Sequence, residues 1–232
     1  GFPIGNGDLC ALFYVPEVFE WGITKVDVWD RKFDRSRYPL TTHKRVMELI
    51  HAKDFQKLRE LHDFEGIPYK EDPYPSPKPC CKLRINVPPA DNEDYLQRMS
   101  LYDATITCSF KSATSQGVVS SFVDACRNLT VISSAYRTQK TAARSVDLHR
   151  WADSLLGDPK VDTDGEYFWV DYIFPDGFRY VVMMAIEGID YEVATATNTV
   201  RAKLSSDTEG EFNIYLSVAT SRESTDPRAK AK

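Results

Sequence analysis

The sequence predicts a mainly β protein whose antiparallel strands pack as a sandwich, and three observations carry that expectation. Short alternating apolar runs recur at roughly ten-residue spacing with turn residues between them, the pattern of strands that bury one face. Pro175-Asp176-Gly177 separates two such runs, residues 167–174 and 178–186; proline presets the first turn angle and glycine takes a positive φ, so a hairpin is expected there. The longest apolar run, residues 180–186, has 7 residues, whereas a membrane-spanning helix needs roughly 20.

Composition narrows the classes. With 232 residues the chain can form one large or two small domains, and 42% hydrophobic with 12% aromatic residues exclude disorder. Lys and Arg number 29 against 34 Asp and Glu, a net charge of −5, so the basic footprint of a nucleic-acid binder is missing and neither nucleic acid nor membrane is expected as a partner. Five cysteines are odd in number, too dilute for a disulfide scaffold, and without the C-x-x-C spacing of a structural zinc site. The chain opens at Gly1-Phe2-Pro3 without methionine or a charged-then-apolar leader. Either a targeting segment was removed, which favours a periplasmic or secreted protein, or the sequence begins inside a longer one.

Taken in order, residues 8–30 read as strand, break at Pro16, and strand, because proline removes a ladder donor. From 42 to 65 the period changes: Val46, Leu49 and Ile50, then Phe55, Leu58 and Leu61, stand three and four apart on one helical face. Thr41 or Thr42 caps the start, Gly66 and Pro68 end it, and a break near Lys53-Asp54 makes two short helices. Residues 66–89 hold seven of thirteen prolines and read as an ordered surface crossover. Strands are then expected around 83–87, 104–110, 118–123, 129–131, 191–196, 200–204 and 212–218, besides the hairpin, with turns at 124–128 and 207–210. At the end, Asp226 caps a helix that has Pro227 at its first position, so 225–232 reads as the start of a linker helix after a sandwich of residues 1–224.

Catalytic patterns are scarce. The sequence lacks a nucleophile elbow, a Walker loop and H-E-x-x-H; three of four histidines fall in the helical segment without ligand spacing, and no metal or cofactor is expected. Asp162-Thr-Asp-Gly-Glu166 begins like a calcium loop, but Phe168, Trp169 and Val170 stand where later oxygen ligands are needed, so a hairpin turn fits better. Paired carboxylates drive glycoside hydrolysis, yet spacing alone assigns none of the 34 acids. The densest unusual cluster is residues 21–32, where Trp21 and Trp29 interleave with Lys25, Asp27, Asp30 and Arg31. Aromatic faces beside polar groups suit sugars and equally suit a buried interdomain contact.

Two segments, Phe2-Pro-Ile-Gly-Asn6-Gly-Asp-Leu-Cys-Ala11 and Ile23-Thr-Lys-Val-Asp-Val-Trp29-Asp-Arg31, resemble the opening of glycoside hydrolases of the family 95 alpha-L-fucosidase and family 65 type. Residues 46–61 look like that group's short helices, 95–104 like its Y-x-R-x-L-D-L-x-x-A strand pair, and 212–220 with Asp226-Pro227 like its last strand and exit linker. The resemblance implies a galactose-mutarotase-like β-supersandwich with a helical insertion at 42–65, followed by an (α/α)6 barrel that carries the general acid and base. Cys10 replaces the group's glycine and Thr24 its asparagine, so the broader hydrolase class is implied rather than fucose specificity.

On this reading the chain is the non-catalytic sandwich of a carbohydrate-active hydrolase, inactive alone, whose partner is the barrel of the same polypeptide. Asn6, Trp21, Trp29, Asp30 and Arg31 are the candidates for substrate binding or barrel contact. Asn6 and Arg31 would supply hydrogen bonds and the tryptophans apolar area; neither polar group can act as a general acid. The alternatives are a free-standing carbohydrate-binding module with an oligosaccharide partner, and an interaction domain using the proline-rich crossover.

Overall fold

Along β3 (Phe19–Lys25), Phe19, Trp21 and Ile23 point to one side and are buried, while Gly22 and Thr24 point to the other. That period of two is the unit from which the molecule is built. A computed structural model describes residues 1–15, 18–31, 42–62, 75–86, 94–111, 113–138, 144–151, 157–205 and 209–232. The described residues form two compact units, Gly1–Val28 with Pro77–Lys232, and Trp29–Ser76.

The larger unit is a two-sheet antiparallel sandwich. One sheet orders β1 (Phe2–Gly5), β2 (Leu9–Tyr14), β3, β6 (Cys81–Asn86), β11 (Ser145–His149), β16 (Thr199–Leu204) and β15 (Tyr191–Ala196). The other orders β12 (Lys160–Thr163), β13 (Tyr167–Ile173), β14 (Arg179–Glu187), β17 (Glu209–Thr220), β10 (Leu129–Thr138), β9 (Ser115–Val123), β8 (Thr105–Lys111) and β7 (Asp94–Ser100). Cross-strand rows set the core. Phe13, Trp21, Leu83, Leu148 and Val200 lie opposite one another across five strands of the first sheet. All five are buried, and they belong to one core with Ile106, Ile132, Ile214 and Ile186 of the second sheet. Buried hydrogen bonds tie the layers, among them those from Trp21 Nε1 to Ser121 Oγ (3.1 Å) and from the Tyr180 hydroxyl to the Cys80 carbonyl (2.9 Å).

Local chemistry explains the turns. The hairpin joining β13 and β14 forms as expected: Gly177 has φ 84°, and Asp176 Oδ1 accepts from Phe178 N at 3.0 Å. The calcium-like segment is a turn between β12 and β13, with Gly165 at φ 95° and Asp164 Oδ1 accepting from the backbone of Glu166 and Tyr167. Gly117 faces Phe110 across the ladder, and a Cβ there would fall 2.6 Å from the Phe110 ring, so only glycine lets that ring lie over the strand.

The smaller unit contains β4 (Trp29–Asp30), α1 (His43–His51) and α2 (Phe55–His62); β4 pairs with β5 (Ser76–Pro77). Thr42 caps α1 by accepting from Arg45 N (3.2 Å), and the break falls at Ala52–Asp54, where Lys53 takes φ 55° and Asp54 Oδ1 accepts from Lys57 N. The expected stop at Gly66 and Pro68, the Pro16 break and positions 207 and 208 of the expected turn lie outside the described residues, and Glu209 and Gly210 already belong to β17. Within the proline-rich stretch, residues 75–86 hold β5 and β6, and β6 sits centrally in the seven-stranded sheet. Cys80, Cys81, Leu83 and Ile85 are therefore core, whereas Pro75 and Pro77 are exposed as a surface crossover would have them; the remainder lies outside the described residues.

After β17, α3 (Pro227–Ala231) begins at Asp226, whose Oδ1 accepts from Arg228 N and Ala229 N. It lies on the outer face of the eight-stranded sheet with Pro227 and Ala231 buried, and Ala231 joins Trp169, Val181, Met183 and Ala219 in a second apolar cluster. Arg228 stacks 3.7 Å over the Trp169 ring and Lys232 4.3 Å over the Tyr167 ring. No helix among the described residues is long and apolar enough to cross a membrane.

Candidate functional site

Asn6 sits in the turn between β1 and β2, where its side chain is engaged on both ends. Nδ2 donates to the carbonyls of Asp124 (3.0 Å) and Arg127 (2.9 Å), while Oδ1 accepts from Asp8 N (3.0 Å) and Leu9 N (2.8 Å). Two donors and two acceptors are what an amide offers. The glycine-rich opening is thus a clamp that fastens the first sheet to the turn between β9 and β10.

Beside it lies a closely connected polar cluster. Lys25, 5% exposed, reaches Asp8 (2.9 Å), Asp27 (3.1 Å) and Glu223 (3.4 Å). Asn128 donates to Asp8 Oδ2 (2.8 Å) and Glu223 Oε1 (3.0 Å). Thr220 completes the ring by donating from Oγ1 to Asp27 (2.7 Å) and from its backbone N–H to Glu223 (2.8 Å). Burial alone would lower the Lys25 pKa, but the hydrogen bonds to Asp8 and Asp27 and the charges of Asp27 and Glu223 outweigh it and hold the ammonium above its usual range. A lysine acting as base or nucleophile needs the opposite shift.

A second network covers the outer face of the seven-stranded sheet. Glu20, Arg84, Asp147 and Arg201 lie opposite one another on β3, β6, β11 and β16, and their charges alternate. Glu20, 2% exposed, accepts from the Tyr14 hydroxyl, Lys82 Nζ (2.5 Å) and Arg84 Nε (2.6 Å). Arg201 grips Asp147 with two parallel bonds of 2.7 and 2.6 Å. Burial would raise the Glu20 pKa, yet the hydrogen bonds from Lys82 and Arg84 and their charges carry it below the usual carboxylate value, so it stays ionised where a general acid would need its proton. His149 is pushed down, chiefly by burial and then by the Arg84 and Lys82 charges, and its Nδ1 sits 2.8 Å from Thr199 Oγ1.

The other sequence candidates divide between the units. Trp21 has no exposed surface and forms part of the core, which corrects its reading as a sugar or barrel contact: alternation along β3 points it inward. Trp29, Asp30 and Arg31 belong to the smaller unit, with Trp29 and Arg31 exposed and Asp30 buried. Sequence proximity therefore united residues that the structure separates. Cys80 and Cys81 are buried thiols, the first pushed up to about 12 and the second well above its ordinary value, both mainly by desolvation, so neither is a reactive nucleophile. Among the described residues no group of three His, Cys, Asp or Glu side chains is placed to hold a metal ion.

Sequence reasoning singled out Lys25 and Asp27 but missed their partners, because these come from positions 8, 128, 220 and 223 and no local spacing links them. The strand Ser145–His149 was also hidden, since Ser145, Asp147 and His149 alternate with only two apolar residues; its signal is the period of two itself.

These features define a two-sheet antiparallel sandwich in which buried Lys25, Glu20 and Asp147 are each held by opposite charges. No protein-family model and no curated protein matches the chain in sequence. A solved structure named "Putative kojibiose phosphorylase from human microbiome" matches in fold with a TM-score of 0.61 and 8% sequence identity, over 99% of this chain and 31% of that one. At that identity the likeness concerns the fold, and this chain spans about a third of the length of the protein it resembles.

Proposed function

We propose that this chain is the non-catalytic β-sandwich domain of a carbohydrate-active enzyme of the glycoside hydrolase family 65 and 95 kind, packed against an (α/α)6 barrel that cleaves the glycosidic bond. One observation carries the reading: virtually the whole chain shares its fold with roughly a third of a phosphorylase, as a domain would. The buried titratable groups of the sandwich support it, because Lys25 and Glu20 are held ionised and the Cys80 and Cys81 thiols protonated, states that favour structure over proton transfer. Residues 1–224 would then be the sandwich with its helical insertion, and 225–232 the first turn of a linker. Trp29, Asp30 and Arg31 stay as candidate contacts with the barrel or with sugar.

A binding module is the second reading, favoured by the face on which Lys82 Nζ stands 5.6 Å from both the Tyr14 and Trp151 rings. Calorimetry of residues 1–232 against a panel of α- and β-linked oligosaccharides separates the two. The scaffold reading predicts no heat of binding at millimolar sugar. A saturable heat reduced by Trp29→Ala or Trp151→Ala would replace it with the module.

A further inference from the structure

We infer that the outer face of the eight-stranded sheet, from the flank of α3 to the tip of the turn between β7 and β8, seats a helical surface of the partner domain. This inference rests on the reading above and names the face that would do the docking. Tyr167, Ala185, Tyr215, Val131, Phe122 and Thr105 stand opposite one another in turn across six neighbouring strands. All six point away from the core, because their neighbours Phe168, Met184, Leu216 and Val123 are the buried ones. None of the six is buried, and Phe122 is 40% exposed.

One end of this row is already in contact with a helix. Lys232 at the end of α3 lies over Tyr167, and Ala231 packs into the outer cluster with Met183 and Trp169. Ser217 donates its hydroxyl to the Ala231 carbonyl. A cavity of about 440 Å³ opens between α3 and the row, floored by Leu129, Ala185 and Tyr215. The exposed face is thus continuous with an existing helix-on-sheet interface. Five inter-strand steps span about 24 Å, the length of roughly 16 helical residues.

The far end carries the clearest anchors. Leu101 is 84% exposed and Tyr102 97%, on the turn that joins Ser100 to Thr105 at the end of the row. That turn is built to hold a shape: Ser100 Oγ donates to Asp103 Oδ2 (2.9 Å) and accepts from Asp103 N (3.3 Å), and Ala104 takes φ 51°. Two large side chains projected into water from a hydrogen-bonded turn, beside a half-buried row that is apolar but for Thr105 and two tyrosine hydroxyls, are what an interface anchor looks like.

The test uses the protein expressed from its complete reading frame, with the photo-cross-linker p-benzoylphenylalanine at position 102. The expected product is an intramolecular cross-link from position 102 into a helical segment outside residues 1–232. A cross-link to a second copy, or none while the protein cleaves glycosides through a helical domain, overturns this inference and leaves the scaffold reading standing. A complete protein with no helical domain overturns both. The double variant L101S/Y102S supplies an independent readout, since both side chains are exposed and the sandwich keeps its fold. It should raise the rate at which limited proteolysis separates sandwich from helical domain by about tenfold, the loss of one good aromatic anchor. An unchanged rate counts against the docking face.

Discussion

Replacing Lys25 with methionine is expected to destabilise the sandwich by about 3 kcal/mol, near the lower end of what removing one partner of a buried charge cluster costs. Methionine fills the volume but leaves Asp8, Asp27 and Glu223 facing one another without a cation. The lower end applies because Asp8 and Glu223 keep 39% and 27% of their side-chain surface in water, which screens part of the repulsion. Urea unfolding at pH 7 measures the loss. The pH dependence gives the mechanism, and it is read at the alkaline end. A lysine with a raised folded pKa contributes fully below its unfolded value near 10.5, and that contribution is lost as pH rises through the folded value. A deficit independent of pH would show that packing, not charge, is what Lys25 provides.

Trp21→Ala should cost about 3–5 kcal/mol, the range for truncating a large aromatic side chain in a core. Its ring is fully buried, packs with centroids 4.8 Å from Phe13, and donates to Ser121 across the sandwich, so the variant leaves both a cavity and a buried hydroxyl without its donor. Thermal or urea unfolding reads the effect directly. A variant with unchanged stability and altered sugar binding would return Trp21 to the surface role that its neighbours in sequence suggest.

Those two residues also show how much of the molecule can be read from its sequence. Sandwich strands with three or more apolar residues at alternate positions, such as 104–110 and 212–218, are plain because burial on one face imposes the period. The hairpin at Pro175-Asp176-Gly177 and the caps at Thr42 and Asp226 are equally plain, because each relies on one residue's own chemistry. Strands held by charge are different. Asp147 is 4% exposed on β11 only because Arg201 and Asn86 satisfy it from neighbouring strands, and nothing local announces that pairing. Clusters drawn from distant segments are invisible for the same reason. Residues 21–32 look like one constellation, yet the alternation Phe19, Trp21, Ile23 already separates Trp21 from the residues after Asp27.

The outer networks bear on function as well as stability. Catalytic acids and bases are tuned toward the working pH by burial and like charge, whereas here opposite charges bind Glu20 and Lys25 more firmly into their ionised forms. That is how a scaffold uses charge: to fix register across strands and to close the rim of a sandwich.

The most direct measurement is the turnover of purified residues 1–232 on a panel of α-linked disaccharides, with and without inorganic phosphate, set beside the protein from the complete reading frame. The scaffold account predicts cleavage by the complete protein and none above background by the sandwich. Enzyme-like turnover by residues 1–232 alone would contradict it.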